Sequence, residues 1–214
     1  MRRGRLLTTA LILAATALLA GCTSDGGGDP NDVSGIPADW LTSTEEGWPS
    51  SKAHGGGVPV LSRKPCLLTD RAPQVLDGDA DFTDTGWGGY GTGPDGYRYI
   101  CNLWKRGSYA GDLQVLRPGA ASDAATTVDQ FRTQKSSAVQ ENSVEKVTSG
   151  QLEMLVLTRW YPTNPQGMYQ ALYFDEAADA LVSLEINSLD EDDFDTLTPQ
   201  DVADALVETM AAAS

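Results

Sequence analysis

The stretch that decides the fold is YQALYFDEAADALVSLEI, residues 169–186. Tyr169–Phe174 and Ala180–Ile186 are short segments rich in aliphatic and aromatic residues, and each predicts a β-strand. Residues 175–179 form a short connection between them. A connection this short joins antiparallel strands, because parallel strands need a crossover of a dozen or more residues. The stretch therefore predicts a β-hairpin within an antiparallel sheet.

The rest of the chain extends this pattern on both sides. Further strands are predicted at residues 97–104, 112–117, 144–147 and 153–161, with Gly107–Gly111 as a hairpin turn between the first two. Helical patterns are predicted at residues 67–76, at residues 121–135 and from Thr198 onward, where TPQD is a capping sequence. The predicted fold class is α+β: a single domain, residues 58–214, with a mainly antiparallel sheet and helices packed on one face.

Residues 1–21 have the plan of an export signal. Arg2, Arg3 and Arg5 precede an apolar stretch, and the segment ends in Leu19-Ala20-Gly21-Cys22. This ending resembles the lipobox of bacterial lipoproteins, in which the cysteine receives a diacylglycerol and becomes the first residue of the mature protein. The resemblance implies a membrane anchor at Cys22 and a location on the outer face of the cell membrane. An ordinary secretory signal and an uncleaved anchor helix are the alternatives.

Residues 22–57 are expected to form a flexible tether, because Gly, Pro, Ser and Asp dominate their composition and the apolar residues follow neither a helical nor a strand periodicity. Trp40 and Trp48 are exceptions within it. We expect them to dock the later part of the tether onto the domain, with a role in ligand contact as the alternative.

The charge of the chain excludes several classes of partner. Of 15 Lys+Arg, three lie in residues 1–21, so residues 22–214 carry 12 cations against 30 Asp+Glu, a net charge of −18. Such a surface repels phosphate groups, so neither nucleic acid nor electrostatic docking to anionic lipid is expected.

The cysteines predict one disulfide. With Cys22 assigned to lipid, Cys66 and Cys101 remain as an even pair in an oxidising compartment. A redox role is the alternative, but no C-x-x-C motif supports it.

A family resemblance appears once these features are taken together. Pro65, Cys66, Leu68 and Thr69 before the first helical pattern, with Cys101 in a strand shortly before Trp104, resemble a family of actinobacterial surface lipoproteins known only as a domain of unknown function. The resemblance covers residues 60–214. It implies a surface lipoprotein with a disulfide, and it brings no activity.

Several motifs fail as catalytic or nucleotide sites. His54, the only histidine, precedes three glycines as in a lipase oxyanion sequence, but the chain has no G-x-S-x-G elbow and no second histidine to act as base. Two G-x-G-x-x-G matches span residues 86–96, but no helix is predicted to follow them, so no nucleotide is expected. No cofactor is expected either.

Residues 77–96 predict a long surface loop rich in Asp, Gly and aromatic residues. Asp77, Asp79 and Asp81 alternate as calcium ligands do, but later positions do not fit an EF-hand. A solvated acidic loop is therefore expected and no metal is assigned, with an irregular, weak calcium loop at these three residues as the alternative. Trp87 and Tyr90 are the candidate anchors for a ligand or partner, and the alternative is that the aromatic residues of this loop close over one end of the core.

These observations predict a lipid-anchored extracytoplasmic protein that acts as a non-catalytic binding or interaction module. An envelope glycan or a protein is its expected partner. The alternative is an envelope glycan hydrolase that uses two carboxylates.

Overall fold

The computed structural model describes residues 28–47, 66–76, 80–89, 96–119 and 121–213. Its centre is one antiparallel sheet of seven strands in the order β1-β2-β3-β7-β6-β5-β4. The strands are β1 Ala80–Gly89, β2 Tyr97–Lys105, β3 Ser108–Arg117, β4 Glu141–Ser149, β5 Leu152–Tyr161, β6 Gln166–Asp175 and β7 Ala180–Leu189. The helices are α1 Ala38–Gly47, α2 Ala121–Arg132, α3 Glu191–Thr196 and α4 Pro199–Ala211. The α+β prediction with a mainly antiparallel sheet is confirmed.

The turns follow from local sequence. The β2–β3 hairpin closes with Arg106 and Gly107, whose φ angles of 52° and 78° suit a two-residue turn that matches strand twist. In the β6–β7 hairpin, the Asp175 carboxylate accepts hydrogen bonds from the backbone N–H groups of Ala177 and Ala178, both at 3.0 Å. The predicted start of α4 is confirmed, since Thr198 and Asp201 form a capping box.

The helices pack on both faces of the sheet, so the prediction that they share one face is wrong. On one face, α4 buries Val202, Leu206 and Met210 against apolar side chains of β4 to β7. On the other, α2 places Ala124 and Phe131 in a second cluster with Leu116, Leu157, Leu172 and Leu181. Because successive strand residues point to opposite faces, β7 is buried on both sides by its alternating side chains. We call these the α4 face and the α2 face.

Residues 28–42 pack onto the domain, so the prediction of a flexible tether over residues 22–57 is wrong for this part. Val33, Ile36 and Trp40 are buried on the α4 face, and Trp40 is only 1% exposed. The Ile36 N–H donates to the Asp175 carboxylate at 2.9 Å. The expected docking of Trp40 agrees with this burial. Residues 1–27, Trp48 and His54 lie outside the described residues.

Two further expectations are corrected by the structure. Residues 80–89, expected within a surface loop, form the edge strand β1 and pair along its length with β2. Residues 67–76 contain only a short 3-10 turn at Gln74–Leu76 instead of a helix. Pro73 precedes this turn, and the disulfide at Cys66 fixes the start of the segment, so the chain docks by its side chains without regular helix.

Candidate functional site

The α2 face is apolar at one end of the strands and polar at the other. On β3 it carries Leu116, Gln114 and Asp112 in turn, and on β7 it carries Leu181, Ser183 and Glu185. α2 covers the leucine end. At the polar end, Gln114 and Glu185 are partly exposed, whereas Asp112 and Ser183 are buried. Asp112 and Glu185 are direct cross-strand partners.

A glycine allows β3 and β7 to approach at this point. Gly111 precedes Asp112 and has a φ of 142°, where a side chain is strained. A Cβ atom placed on Gly111 would collide with the backbone carbonyl of Glu185. The glycine therefore lets the two strands pair closely where the two carboxylates meet.

Neighbouring side chains donate hydrogen bonds to both carboxylates. The Tyr109 hydroxyl donates to Asp112 Oδ2 at 2.9 Å, and Gln114 Nε2 donates to Asp112 Oδ1 at 2.6 Å. Asn187 Nδ2 donates to Glu185 Oε1 at 2.8 Å. We call Tyr109, Asp112, Gln114, Glu185 and Asn187 the open-face cluster. It combines carboxylates, amides and a phenol in one connected network.

Burial raises the pKa of both carboxyl groups. For Asp112, which is 8% exposed, burial is opposed by the hydrogen bonds from Gln114 and Tyr109 and by the charge of Arg98. For Glu185, burial and the negative charge of Asp112 raise the pKa, while Asn187 and Arg159 oppose the shift. Removing such groups from water costs free energy, so both carboxyl groups are costly to ionise in the folded state.

Tyr109 is held as a proton donor. Burial and the adjacent Asp112 carboxylate raise the pKa of its hydroxyl. Its ring remains 39% exposed, so the residue presents both an aromatic surface and a hydroxyl at the border of the cluster.

Trp104 extends the surface toward β1. Its ring meets that of Tyr109 edge to face, with centroids 6.2 Å apart, and its Nε1 donates to Thr83 Oγ1 at 2.9 Å. Trp104, Thr83, Asp81 and Gly107 line a shallow cavity of about 300 Å³. The cavity and the open-face cluster are thus joined through two aromatic rings.

A larger cavity of about 710 Å³ lies on the α4 face, between residues 28–31, residues 71–74 and α4. Its acidic groups have partners within the fold: Ser149 donates to Asp204 at 2.6 Å, and the backbone N–H of Gln74 donates to Glu208 at 3.4 Å. The α2 face brings two cross-strand carboxyl groups next to two aromatic rings, so we place the candidate site there despite the smaller cavity.

The site residues predicted from sequence have different outcomes. The Cys66–Cys101 disulfide is present, with a Cα–Cα distance of 5.6 Å. Asp81 is exposed in β1 and lines the cavity beside Trp104, while Asp77 and Asp79 lie outside the described residues. Across the described ranges, no group of three or more His, Cys, Asp or Glu side chains could hold a metal ion.

The proposed aromatic anchors are not tested by the structure. Trp87 lies in β1 and pairs in register with Tyr99, and Tyr90 and Cys22 lie outside the described residues. The contact role of Trp87 and Tyr90 stays a prediction.

Sequence reasoning did not single out the open-face cluster. The signal was present as polar residues at alternate positions of two otherwise apolar strands, Asp112 and Gln114 in β3 and Ser183 and Glu185 in β7. Alternation alone does not reveal which strands are neighbours, so the pairing of Asp112 with Glu185 required the sheet order.

Comparison with known proteins adds no family. No protein-family model matches the chain, and neither a curated protein nor a solved structure matches it. Within the part of the chain that the structure describes, no helix has both the length and the apolarity needed to cross a bilayer.

Proposed function

We propose that this protein is a lipid-anchored extracytoplasmic lipoprotein, of the actinobacterial type that its sequence resembles, and that its domain binds an envelope glycan without catalysing a reaction. The observation that carries the binding proposal is the open-face cluster. Together with the neighbouring Trp104, it places two desolvated carboxylates, two amides and two aromatic rings on one face of a sheet.

The chemistry of this surface suits a sugar ligand. Sugar hydroxyls both donate and accept hydrogen bonds, and carboxylates such as Asp112 and Glu185 accept while the amides of Gln114 and Asn187 do both. The rings of Trp104 and Tyr109 supply apolar surface next to polar tips. A few convergent polar groups beside aromatic surface are typical of small-ligand sites.

A glycan hydrolase is the second candidate, because Asp112 and Glu185 are adjacent carboxyl groups whose pKa values are both raised. Glycosidases use two carboxyl groups flanking the scissile bond, one of them protonated. The two functions differ in their product. A hydrolase releases new reducing ends from the glycan, whereas a binding module leaves the polymer intact.

We expect Glu185→Gln to stabilise the fold and to weaken glycan binding. The raised pKa means that the folded state binds protons more tightly than the unfolded state, so wild-type stability falls as pH rises through the interval between the two pKa values. Glutamine at position 185 removes the cost of ionising a buried carboxyl group and keeps a side-chain oxygen that can accept the hydrogen bond from Asn187. At pH 7 each kcal/mol removed should raise Tm by about 2–4 °C, and the gain should disappear below about pH 4, the ordinary range of Glu.

The measurements are thermal melts between pH 3 and 8 and pull-down on insoluble envelope polymer. The matched control is Glu176→Gln, an exposed acid in the β6–β7 turn, which should change neither. Unchanged binding of Glu185→Gln to the envelope polymer would show that the open-face cluster is not the glycan site. Reducing ends released by the wild type and lost in Glu185→Gln would decide for the hydrolase.

Lipidation has its own test. We expect mass spectrometry of the membrane-extracted protein to show a chain that begins at Cys22 and carries a diacylglycerol. Cys22→Ser should release the protein from the membrane, with Cys66 and Cys101 still joined. An intact Met1 terminus or an unmodified Cys22 would contradict the proposal.

A further inference from the structure

The connection between the proposed lipid and the folded domain is short. Gly28 is already fixed, since its N–H donates to the carbonyl of Ala211 at the end of α4 at 2.9 Å. Gln151 in the β4–β5 turn donates to the carbonyl of Asn31 at 2.8 Å, and Val33 is buried on the α4 face. Only six peptide steps separate Cys22 from Gly28, and they span at most about 20 Å when fully extended.

The attachment point and the candidate site lie on opposite sides of the molecule. Gly28 is hydrogen-bonded to Ala211 of α4 and so lies on the α4 side of the sheet, whereas Asp112 and Glu185 point to the α2 face. They also differ along the strands. Residues 28–31 adjoin the β4–β5 turn, while Tyr109 follows the β2–β3 turn at the opposite end of the sheet.

We infer that the short linker of residues 22–28 holds the α4 face toward the bilayer and turns the open-face cluster away from it. The ligand of the open-face cluster is therefore an envelope glycan and not a lipid headgroup of the same membrane. This inference rests on the proposed lipidation of Cys22. With the α2 face against the bilayer, α2 would touch first and Gly28 would stand about 25 Å away, taking layers about 10 Å apart and a helix radius of about 5 Å. The linker would have to be almost fully extended to approach that distance, whereas a flexible Gly-rich chain of six residues has a root-mean-square length of about 13 Å. The orientation with the α2 face against the bilayer is therefore disfavoured.

The net charge of residues 22–214 is −18, which disfavours electrostatic docking of either face onto anionic headgroups and does not by itself select one face. The raised pKa values of Asp112 and Glu185 show carboxyl groups that are already costly to ionise, and a negative membrane surface would raise that cost.

The test compares two matched labels on the full lipidated protein in vesicles. Gln200 in α4 and Gln130 in α2 are both exposed helix residues, and each is replaced by Cys in turn and labelled with a fluorophore, the native disulfide being kept. The vesicles are zwitterionic phosphatidylcholine with a short-range nitroxide quencher on a fraction of the headgroups. We expect a larger loss of emission from the label at Gln200 than from the label at Gln130.

A variant with a longer linker provides the control. Inserting about twelve Gly and Ser residues between Gly27 and Gly28 gives a flexible connection long enough to allow either face to approach, so the difference between the labels should shrink. Equal quenching of the two labels with the native linker, or stronger quenching of the label at Gln130, would overturn the inference while leaving lipidation intact.

Two other outcomes are informative. A protein that fails to float with the vesicles would refute the lipid anchor and the orientation together. If the Cys22→Ser protein binds vesicles, and Asp112→Asn with Glu185→Gln abolishes that binding, the ligand is a headgroup and the inference is wrong.

Discussion

Replacing Trp40 by alanine is expected to lower the free energy of unfolding by about 3–5 kcal/mol. The side chain is 1% exposed and is among the largest fully buried side chains of the described residues. It joins α1 to the core on the α4 face, so its loss leaves a cavity and loosens the contact of residues 33–41 with the sheet. Urea denaturation of the lipid-free domain, residues 23–214, measures the loss.

The matched control is Leu67→Ala. Leu67 is also a large apolar residue outside the sheet, but it is 50% exposed, and we expect a change within about 0.5 kcal/mol. A Trp40→Ala protein as stable as the wild type would show that residues 28–47 do not pack stably onto the domain. The linker between Cys22 and the domain would then not be short, and the inferred orientation would lose its support.

Removing the disulfide by Cys66→Ala with Cys101→Ala is expected to cost about 4 kcal/mol. The bond links residues 35 apart in sequence, and the chain-entropy estimate for a closed loop of this length is about 4 kcal/mol. Cys101 is fully buried in β2 and Cys66 is buried beside Leu68, so the bond also fixes residues 66–76 against the sheet.

Reduction of the wild type provides the control for this prediction. Thermal melts with and without a reductant should differ strongly for the wild type and should coincide for the double alanine variant. A wild-type Tm that is insensitive to complete reduction, checked by thiol labelling, would contradict the structural role of the bond.

Much of the sheet could be predicted because its signals are local. The segments 169–174 and 180–186 are rich in aliphatic and aromatic residues and flank a short turn, and Thr198-Pro199-Gln200-Asp201 carries its own helix start. These patterns need no knowledge of neighbouring elements, and the structure confirms them.

The remaining elements depend on tertiary contacts. β1 contains Asp81, Asp84 and three glycines, which disfavour strands, yet it forms because it completes an edge against β2. The buried position of Trp40 and the side of the sheet that α2 covers are likewise set by packing. Neither is encoded in the period of the segment itself.

The candidate site follows the same division. The sequence shows acids within apolar strands, but only the order β3-β7 makes Asp112 and Glu185 neighbours. The disulfide could be predicted from counting cysteines, since only Cys66 and Cys101 remain when Cys22 is expected to carry lipid. Chemistry that depends on strand register could not be predicted in this way.

An NMR titration of the lipid-free, isotope-labelled domain with solubilised glycan fragments from the envelope tests whether the open-face cluster contacts an envelope glycan. We expect shifts of the side-chain amides of Gln114 and Asn187, of the Trp104 indole N–H and of the backbone amides of Asp112 and Glu185. Shifts confined to residues 87–96 or to the cavity beside α4, with the cluster unperturbed, would contradict it.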